Sequence, residues 1–354
     1  MDELLVEPNQ ANLNVEELRK MKILYLADPQ ADFGAYFLFS GLCEILGEEN
    51  ITIYPSKLSY LGLTDKYYTL DDGKRGNTVP GEYVKPRNLP IITAEEIFDT
   101  INTFDIIVLS SPRTYAVKAL QFFKRYLSFL PRQKLVFTDH EDSLCLREDI
   151  IEMFKPDVIF KRELTKEKEG IHPLPFSSCV PYLDRGFNDQ LKKINIFGSF
   201  GYTWGLRHQA IEFLTKEYGQ EGNYLAIDSP KDNQAGLYPS KIPYFDYLDK
   251  LAESKIALCI RGHGWDSVRR FEICNFETLM IADNIPIITP HPFEDEKHCI
   301  YFNDLKDLKE KIDYYLKHDD ERIEIAKAGR QHLMNYHTNA KRASYFISTI
   351  QKYL

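Results

Sequence analysis

Short apolar runs alternate along the chain with longer segments whose apolar positions recur at helical spacing. In the first half the runs are Lys22–Ala27, Ile51–Tyr54, Asp105–Leu109, Lys134–Thr138 and Asp157–Phe160. In the second half they are Lys193–Phe197, Tyr224–Ile227, Ile256–Ile260 and Pro286–Ile288. Helical patterns follow most of them, as in ADFGAYFLFSGLCEILG, Tyr115–Phe129, YTWGLRHQAIEFLTKEYG and PYFDYLDKLAESK. Thr93 with Glu95–Glu96 marks a capped helix over Ala94–Thr100, and Asn303 or Asp304 caps one reaching Leu316. Buried-looking strands alternating with amphipathic helices predict an α/β protein with parallel sheets.

The alternation runs twice. A chain of 354 residues exceeds one ordinary core, and the proline-containing stretch HPLPFSSCVPYLDRGFNDQ reads as a connection between two domains. The division predicted is an N-terminal extension over 1–20, capped at Asn14, and a first domain over 21–188. A second domain covers 189–336, and a C-terminal helix over 337–354 is long enough to cross to the first. Residues 55–90, rich in Gly, Pro, Lys, Asp and Tyr, read as a long irregular insertion, either a lid or an inert excursion.

Composition narrows the function. The net charge of -9 argues against a nonspecific nucleic-acid binder while leaving room for a local basic pocket. The six cysteines include no C-x-x-C pair and read as free thiols in a reducing cytoplasm. No run of 18 apolar residues and no signal peptide stand out, so any membrane association is expected to be peripheral. The first strand-turn-helix lacks G-x-G-x-x-G, its single Gly34 being no dinucleotide fingerprint.

Candidate chemistry gathers where strands end. The stretch Arg261–Pro286 reads as polar loop, helix and turn at Asp283–Asn284 between two strands. Arg261, Gly262, His263 and Gly264 form a loop whose glycines permit backbone approach to a phosphate. Arg270 and Glu272 on the following helix are assigned functional roles, with Asp266 placed beside Arg270 and Arg269 left open; capping and solvation of an ordinary helix is the alternative. Gly198 and Arg207 form a second glycine-arginine loop after Lys193–Phe197, for which a surface arginine is the competing account. In the first half, Asp139, His140 and Glu141 end a strand and are candidate bases, or Asp139 and Ser143 are helix caps. A lone histidine among acids implies no metal. Phosphate binding in one domain and acidic or imidazole groups in the other fit glycosyl transfer from a nucleotide sugar.

The second half carries a family resemblance. Arg270-Phe271-Glu272, Asp283-Asn284, Tyr301-Phe302-Asn303-Asp304-Leu305, His318-Asp319-Asp320-Glu321-Arg322, Ile325-Ala326-Lys327-Ala328-Gly329-Arg330 and His337-Thr338 recur in that order in one family. By them the chain resembles the GT-B glycosyltransferases, especially the spore-maturation (CgeB-like) and group 1 transferases. The resemblance covers about residues 193–350 and rests on strand and helix order elsewhere. It departs from the commonest group 1 pattern in having Gly264 where an acid stands eight positions before Glu272, and Asp283-Asn284 in place of a glycine. It implies two Rossmann-like domains facing a central cleft (GT-B architecture), a nucleotide-diphosphate sugar as donor and no obligatory metal. Glu272 then lies near the ribose or sugar, with Arg270, its preceding loop, Gly198 and Arg207 near the diphosphate. The acceptor, whether glycan, lipid, protein or small molecule, is not encoded in any motif. A sugar-nucleotide epimerase, a phosphorylase and a non-catalytic nucleotide-sugar-binding scaffold are the competing readings.

Overall fold

The computed structural model describes residues 20–27, 32–54, 87, 89, 92–110, 134–178, 192–201, 205–219, 222–228 and 244–353. The helices expected around Asn14 and over Tyr115–Phe129, the insertion apart from Arg87 and Leu89, and the boundary near 188 lie outside them. The chain divides into two compact units, one of Met1–Cys179 with Thr338–Leu354 and one of Val180–His337.

The first unit is built on β1 (Ile23–Ala27), β2 (Ile51–Tyr54), β3 (Ile106–Ser110), β4 (Lys134–Asp139), β5 (Val158–Lys161) and β6 (Ile171–Pro173). All neighbours are parallel, in the order β2-β1-β3-β4-β5-β6. Its helices are α1 (Phe33–Leu46), α2 (Ala94–Thr100) and α3 (Glu148–Phe154). The Thr93–Glu96 capping box is formed, whereas Arg147 stands at the α3 N-cap and no side chain caps it.

The second unit holds β7 (Ile194–Gly201), β8 (Tyr224–Asp228), β9 (Ser254–Cys259), β10 (Leu279–Asp283) and β11 (Ile300–Phe302), again parallel, in the order β11-β10-β9-β7-β8. Around them lie α4 (Leu206–Tyr218), α5 (Tyr244–Ala252), α6 (Val268–Asn275), α7 (Leu305–Tyr315) and α8 (Asp319–Tyr336). Asp304 caps α7. A further helix, α9 (Asn339–Ile350), is capped by Thr338, belongs to the first unit and packs against α1. The two meet closely at Gly41, where a Cβ would stand 2.1 Å from the Asn339 carbonyl oxygen.

Three strand assignments need correction, one of them β6, which falls where the sequence reads as the start of an irregular connection. The strand after the Arg261 loop is Leu279–Asp283, not Pro286–Ile288. Its five residues are all buried and pair between β9 and β11; α6 stops at Asn275, and Glu277 turns the chain at φ 49. The first strand of this unit also continues through the expected glycine loop to Gly201, so Gly198 pairs with Leu225 inside the sheet. A Cβ there would stand 2.6 Å from the Phe200 ring, so the glycine makes room for that ring.

Candidate functional site

In each sheet the chain starts at an inner strand, goes to one side and then returns to the other. This reversal lies between β1 and β3 in the first unit and between β7 and β9 in the second. Helices leaving such a pair diverge, and the opening outside the strands' carboxyl ends is where open α/β sheets take ligands.

In the second unit this opening is lined by two arginines. Arg207, in the first turn of α4, is buried, and its guanidinium reaches across the strand ends. Nε and Nη2 donate to the Ile260 carbonyl at 3.2 and 2.5 Å, and Nη1 to the Gly201 carbonyl at 3.4 Å. Those partners are neutral, and among the described residues no carboxylate is in contact with it. Burial, and then the nearby Arg269, depress its pKa to about 10, which leaves it cationic at neutral pH. Gly262 allows this arrangement, since a Cβ there would lie 2.9 Å from Nη2 of Arg207.

Arg269 completes the pair. Its guanidinium carbon lies 5.6 Å from the Phe200 ring centroid and that of Arg207 lies 6.0 Å from it, so one ring carries both cations. Arg269 is hydrogen-bonded to Tyr247, whose hydroxyl donates to Glu272 Oε2 at 2.8 Å, while Arg269 Nε is buried with no partner among the described residues. Arg269 and Glu272 are three apart on α6 and meet through Tyr247 on α5. Phe200 and Tyr247 were given no role from the sequence and Arg269 was left open, although the i, i+3 spacing of Arg269 and Glu272 was a usable signal.

Arg270 points elsewhere. It donates to the Asp283 carbonyl at 3.2 Å and to the Tyr301 hydroxyl at 3.4 Å, and with Asp266 it lines a cavity of about 140 Å³ beside Phe293. Arg261 is likewise engaged, its backbone N–H and Nε meeting Asp283 at 2.9 and 3.2 Å and its guanidinium lying over Trp265. His263 is exposed and Gly264 buried, with the Gly264 carbonyl accepting from Gly262 N–H at 3.2 Å.

The first unit gathers buried charge at the ends of β4 and β5. Asp139 and Lys161 pair at 3.0 Å with both side chains 1% exposed, and Asp139 Oδ1 also accepts the Glu141 N–H at 3.1 Å. Burial raises the Asp139 pKa despite the Lys161 charge. Glu141 is held by Arg147 at 2.7 Å. His140 is buried, and desolvation pushes it down to about 4, so it is neutral at pH 7. A Cβ on Gly34 would stand 2.4 Å from its Nδ1, so α1 approaches the imidazole through a glycine. Tyr25, on β1, donates to the Ala35 carbonyl at 2.8 Å and accepts from Ser110 Oγ at 3.0 Å across the β1–β3 opening.

Among the described residues no group of three or more His, Cys, Asp or Glu is placed to hold a metal ion, and no helix is long and apolar enough to cross a membrane.

Residues 188–348 match a protein family described as glycosyl transferase-like. Among solved structures, Anabaena HepE in complex with UDP is 12% identical with a TM-score of 0.62, covering 94% of this chain and 100% of that one. A glycosyltransferase from Rickettsia africae is 13% identical with a TM-score of 0.59, covering 94% and 98%. The N-terminal domain of Candida albicans trehalose-6-phosphate phosphatase is 12% identical with a TM-score of 0.55, covering 94% and 97%. No curated protein matches. The fold, two units each with a parallel sheet and flanking helices, is the GT-B architecture.

Proposed function

We propose that the protein is a glycosyltransferase that binds a nucleotide-diphosphate sugar in its second unit and transfers the sugar to a hydroxyl acceptor. The observation that carries this reading is the Arg207–Arg269 pair over Phe200 at the β7–β9 opening. Two cations are held together there, and the nearest partners of one are carbonyls. An anion placed between them would relieve their mutual repulsion. As the bond from the anomeric carbon to the diphosphate oxygen breaks, charge grows on the departing phosphate, and preorganised cations stabilise that state more than the ground state. Glu272, fixed through Tyr247, is assigned to the ribose or sugar hydroxyls. Within this fold class the motif residues of the second unit support kinship with the spore-maturation and group 1 transferases, over a region that overlaps the match at 188–348.

Two assignments differ in this proposal from those expected of the sequence. The diphosphate role expected of Arg270 passes to Arg269, because Arg270 is turned to Asp283 and Tyr301. For an inverting reaction the general base passes from Asp139, engaged by Lys161, and Glu141, engaged by Arg147, to His140, which is neutral at pH 7. A retaining reaction through front-face attack needs no such base.

The test is a calorimetric screen of UDP-, GDP- and ADP-linked sugars, beginning with UDP-glucose because HepE has been crystallised with it, followed by measurement of nucleoside diphosphate release. Binding with release of a nucleoside diphosphate supports transfer. Tight binding with no turnover across acceptors supports the scaffold reading, and conversion of the sugar without release supports an epimerase. No binding by any of these donors refutes the proposal.

A further inference from the structure

A second cavity lies in the same unit and shares Pro292 with the one beside Phe293. Between β10 and β11 the chain folds back against the C-terminal half of α8 and leaves a groove of about 470 Å³ that is open to solvent on one side, where His291, Glu294, Lys297, Gln331 and Asn335 are exposed. His291 adopts φ 52, a left-handed conformation uncommon for a residue with a side chain. Its carbonyl accepts from two imidazoles, His332 Nε2 at 2.9 Å and His337 Nε2 at 2.8 Å.

These contacts fix the tautomers. A carbonyl can only accept, so neutral His332 carries its proton on Nε2 and keeps a lone pair on Nδ1. The Glu294 backbone N–H donates to His298 Nδ1 at 3.1 Å, so neutral His298 carries its proton on Nε2. The two rings stack with centroids 4.0 Å apart at 22°, and His291 stacks on Tyr336 at 4.2 Å and 17°. All four residues line the cavity. The stacked pair therefore retains one donor and one acceptor, beside two further rings with flat faces.

The charge of the lining cancels. Lys297 Nζ donates to both oxygens of Glu294 at 2.9 and 3.1 Å. Desolvation pushes His298 down to about 4 and lowers His332, so both rings are neutral at pH 7. Gln331 and Asn335, on α8, add two carboxamides, joined by a hydrogen bond of 3.0 Å. A phosphate would find no uncompensated cation here, and among the described residues no donor set for a metal is assembled. What remains is paired donors and acceptors with aromatic faces, in a volume within the ~300–1,000 Å³ range of small-molecule sites. A sugar matches this lining, since its hydroxyls both donate and accept and its C–H faces pack on rings.

We propose that the cavity between α8 and residues 291–298 is a binding subsite for a neutral saccharide of one or two rings. The proposal is independent of the donor site and needs none of the Arg207–Arg269 residues.

Imidazole nitrogen and proton resonances of ¹⁵N-histidine-labelled protein provide the test, with maltose, N-acetylglucosamine and methyl α-glucoside as probes and inorganic phosphate and zinc chloride as controls. The expected result is saturable shifts of His298 and His332 with at least one sugar. Affinity should fall about tenfold in Asn335→Ala and Gln331→Ala, whose side chains hold no other element in place. Absence of saturable shifts with all three sugars overturns the proposal. So does unchanged affinity in both variants, or saturation of these two rings by phosphate or zinc instead.

Discussion

The Asp139–Lys161 pair offers the most quantitative test of how the first unit is built. Both side chains are 1% exposed, so replacing Lys161 with methionine keeps the volume and leaves a carboxylate in a site that has lost its cation. Breaking a buried pair in this way costs about 3–5 kcal/mol, whereas replacing both partners with apolar residues is often neutral. For a unit of this size each kcal/mol corresponds to roughly 2–4 °C, so Lys161→Met should lower the melting temperature of the first unit by about 6–20 °C. The double variant Asp139→Leu/Lys161→Met should recover most of that loss. The sign with pH is also fixed. Burial already holds the Asp139 pKa above its unfolded value, and losing Lys161 raises it further. The unfolded carboxyl releases its proton first as pH rises, so the variant's deficit grows from its unfolded pKa up to the folded one and shrinks on acidification. Differential scanning calorimetry of the four proteins of the cycle at pH 5 and pH 8 measures this. A loss in Lys161→Met below about 1 kcal/mol, or strictly additive losses in the double variant, would refute the reasoning.

Three further outcomes are expected. Gly262→Ala places a Cβ 2.9 Å from Arg207 Nη2 and should displace the guanidinium from the Ile260 carbonyl. Nucleoside diphosphate affinity by calorimetry should fall about tenfold with melting little changed, in line with loss of one charge-assisted hydrogen bond. Gly41→Ala drives a Cβ into the Asn339 backbone, which no rotamer change can relieve, and should cost about 1–3 kcal/mol or more in urea unfolding. Because the folded His140 titrates near 4, the unfolded state binds the extra proton between there and about 6.5, so stability falls as pH drops through that window. The loss from this residue should be about 2 kcal/mol between pH 7 and pH 5, and His140→Gln should flatten that slope in urea titrations.

Five strands of the first unit were legible because each is a short apolar run, and β1, β2, β3, β4 and β5 fall on those runs within a residue or so; β6 was not, because its three residues open a proline-containing stretch that reads as a connection. The strand β10 was not, because only Glu277 and Thr278 separate LMIAD from ICNF and short apolar runs carry no period that separates helix from strand. What divides them is the left-handed turn at Glu277, a conformation its residue type does not announce. Several residues that carried the family resemblance hold the scaffold. Asp304 and Thr338 cap helices, His337 holds the His291 carbonyl, and Gly329 lets α8 approach the His298 carbonyl, where a Cβ would stand at 2.4 Å. The choice between Arg269 and Arg270 depended on Tyr247 and Tyr301, which lie in other elements; one sequence contains no information on which neighbour each arginine meets. The engagement of Asp139 and Glu141 was hidden for the same reason, since Lys161 lies in another strand and Arg147 beyond an irregular loop.

The central claim is that the Arg207–Arg269 pair at the β7–β9 opening binds a diphosphate. Calorimetric titration of UDP, GDP and ADP into the wild type and Arg269→Gln tests it most directly. The account predicts micromolar-range binding of at least one nucleotide and a loss of roughly tenfold to a hundredfold in the variant, the worth of a charge-assisted contact of about 1.5–3 kcal/mol, at an unchanged melting temperature. Equal affinity in the two proteins, or no binding of any of the three nucleotides to the wild type, would contradict it.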